Sequence, residues 1–323
     1  DTRLVRFKAT IGGEIMTVYI DPDYTGGGND GTISAPWTAW ADFSFQAGET
    51  YAAQGGTTTT PTAQLNITVD NVTITSYGTG QHFIDPNFTS GKTIRTAAAG
   101  LKFQNIKIGI PNLSSGVGRY CFQSAAGTAD ILIEYCTLVG ESVDEDSRCI
   151  DFGTALTSPM VIRNNTISGA NTAIVLNTTV AAGTVSYIND NVITCTPNVT
   201  KAGDSDGISL IGGADWNYSL SIYNNDISGF AENGIDFVGA TNVLCYGNEV
   251  HDAVATSVVS PAGFLLGQTG GGMTGNKVYR NEIYNILHGG LTTPAAGIGS
   301  RGGASCEVFS NLIYDCDWGI YNG

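Results

Sequence analysis

Charge is scarce in this sequence: Asp, Glu, Lys and Arg make up 13% of its 323 residues, about half the usual share. Only 14 residues are Lys or Arg against 29 that are acidic, for a net charge of −15. Nucleic-acid phosphates need clustered cations, so this balance argues against a nucleic-acid partner, and a polyanionic ligand would need a local basic patch or bridging cations. No apolar run approaches the ~20 residues of a membrane-spanning helix, and no basic-then-apolar signal segment opens the chain. The opening at Asp1 therefore reads as a mature or trimmed terminus. Pro-rich and Ser-rich linkers are missing as well, so one continuous body is expected. The seven cysteines include no CxxC pair and no zinc spacing; they are expected as buried free thiols, with at least one unpaired because the count is odd. His82, His251 and His288, the only histidines, are scattered without metal-site spacing.

Gly, Thr, Asn and Ser fill the space that charge leaves, and they fill it periodically. The stretch SIYNNDISGF at 221–230 repeats MVIRNNTISG from Met160 and returns as KVYRNEIYNI from Lys277. With the second Asn of the phrase as anchor, it aligns at Ile106, Cys136, Asn165, Asn191, Asn225, Asn248, Asn281 and Asn311, in steps of 30, 29, 26, 34, 23, 33 and 30 residues. Three positions before the anchor lie Phe103, Ile133, Ile162, Ile188, Ile222, Cys245, Val278 and Val308; two after it lie Ile108, Leu138, Ile167, Ile193, Ile227, Val250, Ile283 and Ile313. All are apolar. A unit of this length that cannot bury its own apolar face must stack on copies of itself, as solenoids do. Short β-branched runs punctuated by Gly, with no helical period, make the unit a coil of strands. Stacked in register about 4.8 Å apart, the inward asparagines Asn165 to Asn311 would form a ladder, each amide bonding its neighbours above and below.

A second phrase recurs between the corners: CIDF at 149, AIVL at 173, GISL at 207, GIDF at 234, GFLL at 263, GIGS at 297 and GIYN at 319. It reads as another sheet of the same coil. The segments before it vary most in length, as solenoid loops that build a binding face commonly do. The last copy, in WGIYNG, stops in mid-pattern, which suggests a fragment. The opening VYIDPDYTGGGNDGTISAPWTAW, followed by QAGETYAAQGG, is similar to the cap and first coil of secreted polysaccharide lyases and phage tailspikes. Over nearly its whole length the chain resembles a right-handed parallel β-helix of the pectate-lyase-like superfamily. The resemblance implies an all-β single domain of about 8–10 coils, with an N-terminal cap and first coil over 1–65 and continuous coils over 66–323. The superfamily holds lyases, hydrolases, isomerases, tailspikes and non-catalytic adhesins, so fold alone does not choose an activity.

Three groups of residues are candidates for chemistry. Asp204 and Asp206 in AGDSDGISL enter one coil, and Glu232 and Asp236 in AENGIDF enter the next. Two of these carboxyls on neighbouring coils would stand roughly 5–9 Å apart, as a glycosidase needs for its acid and its nucleophile or base. The group resembles polygalacturonases, although Asn233-Gly234 stands where that family has paired aspartates and no Gly-His-Gly follows. The strand GIGSRGGASCEVF resembles the Arg-His-Gly strand of alginate and chondroitin lyases, with Arg301 at the arginine position. Those lyases carry a lysine one coil earlier, where this chain has Gln268 or Thr269; Lys277, Arg280 and His288 lie nearby but off the motif. The run Asp144-Glu145-Asp146 offers hard oxygens to Ca²⁺, or is a solvated loop. Asp151 and Asp236, three coils apart, are too distant to cooperate.

A stripe completes the list. Two residues before the anchor stand Gln104, Glu134, Arg163, Asn189, Tyr223, Tyr246, Tyr279 and Phe309. Strand alternation turns this position outward, so four successive coils show aromatic rings. They suit the apolar faces of sugars, the seam of a homotrimer, or stacking of coil on coil. The expectation is an extracellular protein, secreted or virion-associated, that binds and cleaves a polysaccharide. Hydrolysis by the carboxyl group comes first and elimination around Arg301 second; no cofactor is required unless it is Ca²⁺. The alternative is a non-catalytic spike or adhesin that binds surface glycan.

Overall fold

A computed structural model describes residues 16–88, 91–111, 118–126, 128–141, 147–153, 159–177, 185–197, 205–254, 260–267, 273–287, 295–301 and 304–322. The β-branched runs form strands throughout, and one coil shows the plan. Met160–Arg163 leads to the asparagine corner, Thr166–Ser168 leaves it, and Thr172–Leu176 carries the second phrase before Ser186–Asn189 begins the next coil. Each strand of this coil pairs with the equivalent strand of the adjacent coil, parallel and in register. The result is three stacks. We call them sheet A, before the corner, sheet B, after it, and sheet C, which carries the second phrase. Sheet B has ten strands; A and C merge into one sheet of 19 because Asp206–Tyr223 and Asn233–Tyr246 run over both. The chain is a right-handed parallel β-helix.

The core is three columns of aliphatic side chains, one per sheet. Ile133, Ile162, Ile188, Ile222, Cys245 and Val278 stack in sheet A. Leu138, Ile167, Ile193, Ile227, Val250 and Ile283 stack in sheet B, and Ile150, Ile174, Ile208, Ile235, Phe264 and Ile298 in sheet C. All of these are buried. At strand spacing most side chains meet their own shape in the next coil, which lets the columns pack closely.

Two devices turn the corners. The residue before each anchor, from Asn105 through Tyr135, Asn164, Asp190, Asn224, Gly247 and Arg280 to Ser310, is left-handed, with φ between 50° and 65°. Asn and Asp tolerate this region because their short polar side chains bond locally. The anchor then closes the turn. Asn225 Nδ2 donates to Ile188 O (2.9 Å) and to Asn248 Oδ1 (2.9 Å), while its own Oδ1 accepts from Asn191 N (3.1 Å) and Nδ2 (2.9 Å). The same bonds link Asn165, Asn191, Asn225, Asn248, Asn281 and Asn311 without a break, and Cys136 N donates to Asn165 at the upstream end. At the entry to sheet C, the glycines of the second phrase are required by proximity: a Cβ on Gly234 would lie 2.6 Å from Gly263 O and 2.3 Å from Val250 Cγ1. Cys121 and Cys149 open the same phrase in earlier coils, where a small thiol is accommodated. Cys121, Cys136, Cys149, Cys195 and Cys245 are buried and free, Cys306 and Cys316 are half-buried and free, and burial raises the pKa of Cys136 to about 12.

The first strand, Thr17–Ile20, already stacks on Thr50–Gln54 of the next coil. Between them the chain loops out and returns, and Trp40, Phe43 and Phe45 close against Tyr51, with Phe43 stacked on its ring at 4.9 Å. No helix among the described residues is long and apolar enough to cross a membrane.

Candidate functional site

Sheet C holds the carboxylates. Its register sets Asn66, Arg95, Gln123, Asp151, Val175, Ser209, Asp236, Leu265, Gly299 and Tyr321 in one outward row. Outward is not exposed here: Asp151 is 4% exposed, Val175 and Ser209 1%, and Asp236 8%. The residues between them, such as Ile208 and Ile235, face the core, so this stretch of sheet C is covered on both sides. Polar groups withdrawn from water on the outer face of a strand need partners, and Asp151 shows some of its own: Gln123 Nε2 donates at 2.7 Å and Arg148 NH1 lies at 3.5 Å. Arg148 in turn stands over the Tyr120 ring.

Asp206 lies at the entry of the same sheet, beside Asn233 of the next coil, and is 3% exposed. Its Oδ1 accepts from Asn233 N and Asn233 Nδ2, both at 3.0 Å, which fixes the carboxylate across two coils. Glu232 is half-buried and one residue out of register with Asp206, which puts their Cα atoms about 6 Å apart by strand spacing. Asp236 is three residues along, about 11 Å from Asp206 between Cα atoms. Side chains leaning across that gap can reach the separation of an acid and a water-activating base, roughly 6.5–9.5 Å. The structure thus brings Asp206, Glu232, Ser209 and Asp236 together on two adjacent coils. Asp204 lies outside the described residues, as do Asp144 and Asp146, Gln268, Thr269 and His288. Among the described residues no group of His, Cys, Asp and Glu is arranged to hold a metal ion.

Arg301 ends the sheet C strand Ala296–Ser300 and is exposed. Its backbone N donates to Leu266 O at 2.8 Å and its carbonyl crowds Gly267, so its main chain closes a coil. Lys277 sits on sheet A, not sheet C, and pairs with Glu307 at 3.1 Å. The structure therefore does not assemble the lysine and arginine of a lyase from its described residues.

The aromatic stripe is real, and its rings face one another. Tyr223 stacks on Tyr246 at 5.1 Å and 3°, Tyr246 on Tyr279 at 5.2 Å and 17°, and Tyr279 on Phe309 at 5.0 Å and 4°. The ring faces expected to meet sugars are covered by the neighbouring rings, and edges and hydroxyls point outward; Phe309, at the end of the stack, is the most exposed at 44%. Upstream in this row Glu134 accepts from Gln104 Nε2 at 2.5 Å and Arg163 Nε at 2.8 Å, so its charge is bound within the row.

Sequence reasoning missed a second stack on sheet B. His251, Tyr284 and Tyr314 occupy equivalent positions, with centroids 4.9 Å and 5.0 Å apart. Each ring tip reaches diagonally to a carboxylate of the preceding coil: His251 Nε2 to Asp226 (2.9 Å), Tyr284 OH to Glu249 (2.5 Å) and Tyr314 OH to Glu282 (2.8 Å). The signal was present as D-I-S, E-V-H, E-I-Y and L-I-Y after successive anchors.

No family model matches the chain, and no curated protein matches it in sequence. Solved structures do match in fold. The lacto-N-biosidase of Eubacterium ramulus, of glycoside hydrolase family 136, superposes at TM-score 0.53 with 12% identity, over 95% of this chain and 68% of the other. An alginate lyase from Paenibacillus sp. str. FPU-7 gives 0.50 and 13%, over 95% and 98%. The Dettilon tailspike protein gives 0.46 and 14%, over 85% and 62%, a likeness too slight to argue from. At these identities the likeness speaks for architecture alone, and the architecture is the right-handed parallel β-helix.

Proposed function

We propose that the chain binds a polysaccharide along sheet C and hydrolyses it with a carboxyl pair drawn from Asp206, Glu232 and Asp236, with Asp204 beside them in sequence. One observation carries this: Ser209 and Asp236 stand on the outer side of two adjacent coils, Asp206 lies at the entry of the same sheet, and all three are withdrawn from solvent. A carboxyl kept from water favours its neutral form and can donate a proton to a glycosidic oxygen, while a partner fixed by hydrogen bonds stays ionised and activates water or attacks. The fold's resemblance to a lacto-N-biosidase and an alginate lyase supports a carbohydrate-active role without separating hydrolysis from elimination. Action outside the cell, by a secreted or virion-borne protein, goes with this reading. Calcium would enter it only through Asp144 and Asp146.

Incubation with purified bacterial, algal and plant polysaccharides, read by product mass, tests the reaction. Oligosaccharides carrying an added water are expected, and Asp236→Asn should lower their rate at least a hundredfold with the fold intact. Products with an unsaturated end would move the chemistry to elimination near Arg301. A glycan bound and left whole would make the chain a non-catalytic shaft.

A further inference from the structure

A cavity of about 690 Å³ opens at the N-terminal end of the helix, between the loop that carries Trp40 and the residues that lead into the first strand of sheet C. Its size is that of a small-molecule site. On a chain of net charge −15, no charged side chain lines it. Asp21, Asp23 and Asp42 adjoin lining residues in sequence; Asp42 is turned back into its own loop, where Oδ2 accepts from Thr38 N (3.2 Å) and Ala39 N (2.9 Å), and Asp21 Oδ1 accepts from Asp23 N at 3.0 Å. The walls are threonine hydroxyls, the amides of Gln64 and Asn66, and the half-buried rings of Phe43 and Phe45. Hydroxyls and amides that both give and accept hydrogen bonds, set against aromatic carbon, match a sugar ring with its polar rim and apolar face.

The polar groups are held in place. Gln64 Nε2 donates to Asn66 Oδ1 (2.5 Å) and Asn66 Nδ2 to Gln64 O (3.4 Å). These bonds leave Gln64 Oε1 and one N–H of each amide for a ligand. The aromatic wall is equally braced, since Phe43 stacks on Tyr51 and Trp40 Nε1 donates to Thr59 Oγ1 at 2.9 Å. Position gives the cavity its meaning. Asn66 is the first member of the outward row of sheet C that passes through Arg95, Gln123, Asp151, Val175 and Ser209 to Asp236. Six coil steps at strand spacing put it about 29 Å from Asp236 on the same side of the molecule.

We infer that this cavity is a binding subsite for an uncharged sugar at the far end of a glycan that runs along sheet C. The inference rests on the glycan-binding reading of sheet C and adds both a place and a class: neutral residues at the cap, whatever the chemistry at Asp236. It sets a minimum length on a substrate that uses both sites, and it makes the cap a device for holding long chains.

Hydrogen–deuterium exchange of the whole chain tests it, with cellohexaose, xylohexaose and mannohexaose as neutral probes and hexagalacturonate as the charged one. At least one neutral probe should slow exchange in 38–45 and 58–68, and Gln64→Ala combined with Asn66→Ala should raise its Kd about tenfold. Both residues lie outside the core, so the unfolding midpoint of the double variant should stay at the wild-type value. No slowing at the cap by any neutral probe, equal slowing by hexagalacturonate, or a double variant that binds as well as wild type would overturn the subsite. Turnover of a neutral glycan without protection at the cap defeats this inference and leaves the sheet C reading standing. Protection at the cap with no turnover of any glycan does the reverse.

Discussion

His82 is fully buried, and the directions of its hydrogen bonds are forced. Thr57 Oγ1 donates to Gln54 O at 2.6 Å, so it must accept from His82 Nδ1–H. His82 Nε2 therefore accepts from Thr59, whose hydroxyl oxygen takes the Trp40 indole N–H. This chain has no room for a second proton on the ring, and burial drives the His82 pKa down to about 4. Thr59→Val would orphan Trp40 Nε1 and His82 Nε2 together and should cost about 2–4 kcal/mol, read from urea unfolding. His251 is the opposite case. Nε2 meets Asp226 at 2.9 Å and Nδ1 meets Asp252 at 3.0 Å. With carboxylates on both nitrogens, each must be an N–H donor, so the imidazolium is held; desolvation opposes this, but the two carboxylates outweigh it and raise the pKa. The two histidines tilt the pH profile in opposite senses. His82, depressed when folded, loses stability as pH falls from about 6.5 towards 4, because the unfolded chain takes up the proton first. His251, raised when folded, contributes fully below about 6.5 and loses that contribution as pH climbs through its folded value. Unfolding midpoints measured from pH 4 to 9 should therefore decline on both sides of a neutral plateau. His251→Gln should flatten the alkaline decline and leave the acid one, and an unchanged alkaline limb would show that the clamp carries no energy.

Among the elements, the asparagine corner was the most legible in sequence, because its phrase repeats with its apolar partners in every copy and an Asn anchor in six of eight. The structure adds why it repeats: each amide closes its own turn and the next, so a missing member harms two coils. Asn225→Ala should cost about 2–4 kcal/mol, since Asn191 loses the acceptor for two N–H groups and Ile188 O loses its donor. The aromatic stripe was legible in position and not in orientation. Period-two alternation points Tyr246 outward, but only packing decides whether its faces look at solvent or at Tyr223 and Tyr279, and at coil spacing two rings in register stack. Tyr246→Ala removes two stacked contacts and should cost about 1–3 kcal/mol, against at most half of that for Phe309→Ala, which removes one. Equal costs would mean that the rings contribute by area and not by stacking. Burial on the outer side of sheet C could not be read at all. A local pattern gives the side of a strand that a residue faces, whereas covering that side is a matter of segments distant along the coil.

At the scale of the whole molecule, a solenoid with a local Asn ladder and like-on-like columns is close to one-dimensional, each coil resting on its two neighbours. That property separates fold from site in a way no point substitution does. Removing 226–248, 23 residues, joins Asn225 to Glu249, which already pairs in register with Asp226. The coil above then meets the coil below through equivalent partners: Ile208 would stack on Phe264 in place of Ile235, and Ser221 on Lys277 in place of Leu244. The shortened chain should keep the β-sheet signature in circular dichroism and unfold in one transition at a lower midpoint, having lost one coil of contacts. It also lacks Glu232 and Asp236, so turnover should vanish, while the cap and its binding of a neutral hexasaccharide persist. A shortened chain that folds and still cleaves glycan would remove Glu232 and Asp236 from the mechanism. One that collapses into aggregates would show that the two long strands running across sheets C and A tie the coils into a unit larger than their local register implies.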